Sequence, residues 1–464
     1  MENMTFNKYI AKFALNYSKK DIDEQAWETA KNFFIDTVGC MIAGANEKPS
    51  IIIGDYAKSI EGKKVCSVIG RKDFKVDPYS AIMINGTSSH FHDVDDVIPS
   101  TDGHPSVAIL PGVLAAAEML DISGEDTFMA YLTGIQVLKY VGVAFNKNGR
   151  YYSLGWHSTS TLGIFGATAA IGRMFKLTED ELVYALSISA SESAGLKGNF
   201  GTMVKPFHAG KCGADAFLAV QLAKGGFISN PAVMEGNEGF SNVTTKTIDF
   251  TDFLDEIQKN ESAFIKPGLN IKPWPCCKQN HSSINAIQNL KSEYAFSADD
   301  VDKVECLVQP ISFDCLKYTA PKTKLQGKFS IQYNVALAIL NGNVTLSDYD
   351  GDLIEDKSVK DLMKKITIEI DDSIAGGKYG NGKYDSKIKV YLKDGQVLND
   401  WVIDAKGDST NPLSFDEVLD KFKQCASRAL DMDNIGVVLN CIMNIDKLET
   451  IKELIYSIND AAKY

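Results

Sequence analysis

"SKIKVYLKDGQVLNDWVI", Ser386 to Ile403, decides what kind of fold this chain adopts. Ile388, Val390 and Leu392 alternate with polar or amphipathic neighbours, and Asp394-Gly395 interrupts the run before a second β-branched stretch. A period of two is that of a half-buried strand, and Asp-Gly between two such runs marks a hairpin turn. "KVECLVQPI" (303–311) and "KKITIEI" (364–370) have the same character, while "SIQYNVALAILNG" (330–342) between them is helical in pattern. The change from a 3.6-residue to a 2-residue period begins near Lys266. After "GDSTNPLS" (407–414) the chain returns to helix with "FDEVLDKFKQCASRAL", a tail expected to pack back on the first part. The expectation is a mainly α protein with an α+β lid. Residues 1–266 and 408–464 form the large helical domain, and residues 267–407 form the smaller α+β domain. A chain of 464 residues is long enough for two cores.

The first half reads as helices rich in small residues. "DEQAWETAKNFFIDTVGCMIAG" has apolar residues at 3–4 spacing. "SVAILPGVLAAAEML" follows Pro105, with Ser106 as its expected cap. "STSTLGIFGATAAIGRMF" is nearly all small or apolar, which suits a helix buried on most sides. Thr178 followed by Glu181 forms a capping box, and "HAGKCGADAFLAVQLAKGGF" stops at Gly225-Gly226.

Composition is that of a globular chain, 45% apolar and 23% charged, with a formal net charge of -12. Such a charge argues against a nucleic-acid binder or membrane-surface binder, which needs a basic face. Nine cysteines contain no CxxC pair, so reduced thiols are expected. "MENMTFNKYIAKFALNY" lacks a signal-peptide pattern, and no apolar run suggests a membrane span. A cytoplasmic location is expected.

Chemistry concentrates where the histidines are. All six (His90, His92, His104, His157, His208 and His281) lie within residues 90–281, beside glycines, prolines, aspartates or lysines. "HFHDVDDV" (90–97) raises the question of a metal, because His-x-His with carboxylates opens many ligand sets. If the stretch is helical, His90 and His92 point to different faces while Asp93 and Asp96 share one, so three ligands do not converge.

Five ordered motifs resemble the MmgE/PrpD family: "NGTSSHFHDVDD" with "HPS", "GWHSTSTLGIFGAT", "GTMVKPFHAGK", "IKPWPCCKQNHSSINAI" and "GKFSIQYNVALAIL". The family includes 2-methylcitrate dehydratases, cis-aconitate decarboxylases and iminodisuccinate epimerases. The resemblance implies a large helical domain from both chain ends, an α+β lid, a homodimer, and chemistry without metal or organic cofactor. It implies proton transfer beside a carboxylate of a small anionic di- or tricarboxylate.

Carried over residue by residue, the resemblance names Asp93, His104, His157, Lys205 and Tyr333 as catalytic. It names Lys205, His208, Lys272 and His281 as substrate-binding. Lys205 and Lys272 are assigned to substrate carboxylates, because charge on the enolate-like transition state needs cationic donors. His104 and His157 are assigned to proton transfer, with Asp93 orienting an imidazole. Tyr333 would donate to the substrate or act as an acid. Asp95 and Asp96 are expected to cap or pair locally, and Cys276 and Cys277 to pack. A locally positive pocket is expected from Lys205, Lys211, Lys272 and Lys278. Val97, "VIPSTDG" and Cys277 depart from the decarboxylase pattern, which carries histidine at the last position. A 2-methylcitrate dehydratase-like lyase is the leading reading; an epimerase and a decarboxylase remain open.

Overall fold

The computed structural model describes residues 4–246, 250–374 and 384–463. Its longer helices are α1 (Phe6–Asn16), α2 (Glu24–Gly44), α3 (Lys48–Ser59), α4 (Pro78–Phe91), α5 (Pro105–Leu120), α6 (Gly124–Phe145), α7 (Gly163–Met174), α8 (Glu179–Glu192) and α9 (Val204–Lys224). Further along come α10 (His281–Glu293), α11 (Ile331–Asn341), α12 (Phe415–Ala426) and α13 (Lys452–Asp460). Asp23 caps α2, and Thr178 and Glu181 form the capping box of α8. Ser106 does not cap α5. The cap position falls on His104, Pro105 opens the helix, and the Ser106 hydroxyl turns inward to the Asp96 carboxylate at 2.5 Å.

Two hydrophobic cores organise the molecule. The first gathers apolar side chains from Phe6 through Ile271 and again from Val418 to Ala462. In it α12 packs along α2, so the tail folds back on the first helices. The second gathers Trp274 through Ala405, together with Tyr152 and Phe200. It holds a mixed four-stranded sheet of β1 (Val301–Val308), β2 (Ile366–Ile370), β3 (Ser386–Leu392) and β4 (Val397–Val402), ordered β2-β1-β3-β4. β1 and β2 run parallel, with Val304 opposite Ile366. β1 pairs antiparallel with β3, and β3 with β4. The hairpin expected at Asp394-Gly395 joins β3 to β4, and Gly395 supplies the positive φ of +94° its turn needs. Ile388, Val390 and Leu398 are buried on the face covered by α10.

The helical core depends on close backbone approach. A Cβ on Gly210 in α9 would lie 2.1 Å from the Met83 carbonyl oxygen of α4, and one on Gly86 would lie 2.6 Å from the Gly210 Cα. Only glycine allows the two helices this close. Their crossing brings the end of α4, with His90, beside the start of α9, with Lys205. One expectation needs correction. α6 spans 22 residues and is apolar enough to cross a membrane by length and composition, although nearly all of it is buried inside the protein.

Candidate active site

α4 ends at Phe91, so "HFHDVDDV" is not helical throughout. His92 occupies the cap, and Asp93 adopts a left-handed backbone with φ of +55°. Asp93 and Asp96 therefore do not share a helix face. The turn instead aims each carboxylate differently.

Asp93 accepts from Lys272 at 2.5 Å and from Lys205 at 3.1 Å. Burial opposes its ionisation, but the two ammonium groups hold it well below the usual carboxylate range. Asp95 accepts from the Nδ1 of His90 at 2.8 Å and lies 2.9 Å from the Nδ1 of His104, which donates to the Asp96 backbone carbonyl at 2.8 Å. Burial again works against the charge, yet the two imidazoles hold Asp95 down as a carboxylate. Asp96 is buried against Ser106, and burial pushes its carboxyl well up. The carboxylate that orients an imidazole is thus Asp95, where the sequence reading had placed Asp93.

The turn fixes two tautomers. With Nδ1–H of His90 committed to the Asp95 carboxylate and Nδ1–H of His104 to the Asp96 carbonyl beside it, each ring has its Nε2 lone pair available. In His90 that lone pair accepts from Lys205 at 2.9 Å. In His104 it lies 3.9 Å from Asp93 Oδ1, too far for a hydrogen bond. Burial and nearby lysines lower both rings, His90 to about 3, so they are neutral. His157 faces His208 with Nδ1 to Nδ1 at 3.0 Å, so one of the two must donate. The other nitrogen of His157, Nε2, is buried without a hydrogen-bond partner among the described residues. Burial lowers His157 well below its ordinary value and takes His208 to about 4.

Several of these groups border a tight cavity of about 10 Å³, lined by Asp93, Asp102, His104, Tyr152, His157, Phe200, Lys205, Cys277 and Phe329. It lies where the two cores meet: Tyr152, Phe200, Cys277 and Phe329 belong to the second, whereas Lys205 and His104 begin helices of the first. His90, Asp95 and His104 also place ligand-type atoms within 4.8 Å of one another. The 2.8 Å separation of His90 from Asp95 is that of an N–H donor on a carboxylate, His104 Nδ1 donates to the Asp96 carbonyl, and the Lys205 ammonium occupies the outer nitrogen of His90.

Three buried lysines hold the turn from behind. Lys328 donates to the His92 carbonyl at 2.7 Å, Lys272 to that of Asp93 at 2.5 Å, and Lys421 of α12 to that of Val94 at 2.6 Å. Consecutive carbonyls are therefore gripped from three distant parts of the chain. Burial takes Lys328 down to about 7.

The structure gathers Asp93, His104, His157, Lys205 and His208 at or beside the cavity. Lys272 is fully buried behind Asp93 and does not line the cavity, so Asp93, rather than an incoming carboxylate, occupies its ammonium. His281 is buried against Trp274, with its Nε2 3.3 Å from the Cys276 carbonyl. Tyr333 lies in the second core, where its hydroxyl donates to the Asp348 carbonyl at 3.0 Å, and it does not reach the cavity. Lys211 pairs with Asp215 and Lys278 with Asp408, so neither adds free charge to the pocket. Cys277 lines the cavity, but a hydrogen bond with Cys315 and then burial push its thiol well up, which opposes a nucleophilic thiolate.

Most of the chain is similar to known proteins. The MmgE/PrpD N-terminal domain matches residues 8–252 and the MmgE/PrpD C-terminal domain residues 274–441. The chain belongs to the MmgE/PrpD family. A cis-aconitate decarboxylase of Aspergillus terreus is 25% identical, covering 98% of this chain and 96% of its own length. The Homo sapiens cis-aconitate decarboxylase is 26% identical over 92% of this chain and 89% of its own. A 2-methylcitrate dehydratase of Salmonella typhimurium is 24% identical over 85% and 84%. MmgE/PrpD relatives of both kinds are lyases, and at these identities neither kind stands out.

Proposed function

We propose that this chain is a lyase that removes water from a small hydroxy-di- or tricarboxylate, in the manner of 2-methylcitrate dehydratase. One observation carries the reading. Two neutral imidazoles, His104 oriented by the Asp96 carbonyl and His157 backed by His208, border a single cavity with Lys205 on its wall. Elimination of water needs a base for a C–H beside a carboxylate, an acid for the departing hydroxyl, and a cation for the charge in between. Lys205 supplies the cation. His157 lines the cavity, and its Nε2, with no hydrogen-bond partner among the described residues, is the nitrogen left for proton transfer. One neutral imidazole takes the carbon-bound proton, the C–O bond breaks as the alkene forms, and the other, protonated as the anionic substrate binds, gives that proton to the leaving hydroxyl to make water. No metal or organic cofactor takes part in this scheme, and a cytoplasmic homodimer completes it. Nine unpaired cysteines support a reducing surrounding.

Decarboxylation of cis-aconitate is the second reading. It is favoured by the A. terreus decarboxylase matching 98% of the chain, against 85% for the dehydratase. Against it stands Cys277 on the cavity wall, where the decarboxylase pattern carries histidine. Parallel assays separate the two: alkene formation from 2-methylcitrate by ultraviolet absorbance, and carbon dioxide release from cis-aconitate. Alkene formation without carbon dioxide release is the expected result, and carbon dioxide release alone would replace the first reading with the second.

A further inference from the structure

Asp102 is a cavity-lining carboxyl that the proton-transfer scheme does not use. It sits two residues before His104, in the segment "VIPSTDG", on a left-handed backbone with φ of +53°. Its two oxygens are held from different parts of the molecule. Asn146, at the end of α6, donates to Oδ2 at 2.9 Å, and the Tyr384 hydroxyl, just before β3, donates to Oδ1 at 2.8 Å. Both partners are neutral donors. Asp93, by contrast, meets two ammonium groups, and Asp95 two imidazoles. A carboxylate accepts about four hydrogen bonds, so Asp102 keeps acceptor capacity after these two. A substrate carboxylate placed against this wall would meet a like charge. A hydroxyl placed there would donate to a fixed, partly desolvated acceptor.

We propose that Asp102 determines specificity by accepting a hydrogen bond from the hydroxyl of a hydroxy-di- or tricarboxylate, the same hydroxyl that leaves as water. The assignment rests on the carboxylate reading above and deepens it, because an alkene tricarboxylate such as cis-aconitate has no donor for this position. A site built to bind a hydroxyl rejects the analogue lacking it, since its polar group is then left unpaired.

Citrate and propane-1,2,3-tricarboxylate differ only in that hydroxyl, so their dissociation constants, measured by calorimetry on the intact protein, isolate the contact. The wild-type protein is expected to bind citrate at least about tenfold more tightly, the size of one hydrogen bond to a charged acceptor. Asp102→Ala and the closer-shaped Asp102→Asn are expected to shrink that ratio while leaving the affinity for propane-1,2,3-tricarboxylate within about twofold, because its carboxylate contacts lie elsewhere. Equal wild-type affinities for the two ligands would overturn the proposal even if neither variant folds, as would a ratio unchanged in the variants. In either case the carboxylate reading would stand. Binding of neither ligand at millimolar concentration would overturn both.

Discussion

His157 and Lys205 border the same cavity but differ in what they leave behind when removed. The Nε2 of His157 has no hydrogen-bond partner among the described residues, so its loss breaks no hydrogen bond of the fold. His157→Asn is expected to lower kcat by about 10²–10⁴, the usual worth of a positioned acid or base, with little change in substrate affinity. Steady-state kinetics alongside equilibrium binding read the split, and a loss confined to affinity would exchange the roles. Lys205 touches both His90 and Asp93. Lys205→Met is expected to cost about 2–5 kcal/mol in binding and turnover together, because a desolvated charge loses its partner. Lys205→Arg should not restore it, since a planar fork cannot replace a point charge between a ring nitrogen and a carboxylate. Normal kinetics in Lys205→Arg would show that charge alone is required.

The turn from His92 to Asp96 is the element on which the site depends, and it was the hardest to read in advance. Strand alternation at Ile388, Val390 and Leu392 is a local signal, and so is the capping box at Thr178; both were legible. The ends of the histidine-bearing segments were not, because the left-handed turn at Asp93 is pinned by Lys272 and Lys205, which reach its carboxylate from elsewhere in the chain. For the same reason Asp95 rather than Asp93 orients an imidazole, and Lys328 and Lys421 carried no sequence signal of their grip on the turn. Tyr333 matches a motif yet points its hydroxyl into the second core, since a motif match does not record side-chain direction. The lysine grip is testable. Lys421 also pairs with buried Asp36 at 2.5 Å. Lys421→Met is expected to destabilise the protein by about 3–5 kcal/mol, the cost of stranding a buried charge. The double variant Asp36→Leu/Lys421→Met should recover most of that stability but not kcat, because the Val94 carbonyl stays unheld. Chemical denaturation and kinetics on both variants check this, and full recovery of kcat would remove Lys421 from the account. At the α4–α9 crossing, Gly210→Val is expected to abolish soluble folded protein, as its side chain would occupy the Met83 carbonyl; unchanged thermal stability would contradict the close approach.

For the molecule as a whole, burying neutral histidines at the junction of two cores sets a pH dependence. His90 falls from 6.5 to about 3 and His208 to about 4 on folding. Between pH 6.5 and those values the unfolded chain binds the protons and the folded one does not. Stability therefore falls as pH drops through that window, by about 1.4 kcal/mol per pH unit for each such histidine. The Asp93 carboxylate, held below its ordinary 3.8, keeps its contribution down to that pH and loses it progressively below. Denaturant midpoints between pH 7 and 4 should decline, and less steeply in His208→Asn; a flat profile would mean that the rings titrate in the folded protein as they do in the unfolded chain. The helical and α+β parts could each be recognised from periodicity, but the aromatic wall of the cavity between them could not, since Phe200 and Phe329 look like ordinary core residues. The most direct test of the central claim is proton NMR of the purified protein in heavy water with 2-methylcitrate, citrate, cis-aconitate and iminodisuccinate in turn. New alkene signals from a hydroxy acid are the expected result. Deuterium entering iminodisuccinate at one carbon, with no alkene from any hydroxy acid, would contradict the lyase assignment and make the same imidazoles those of an isomerase.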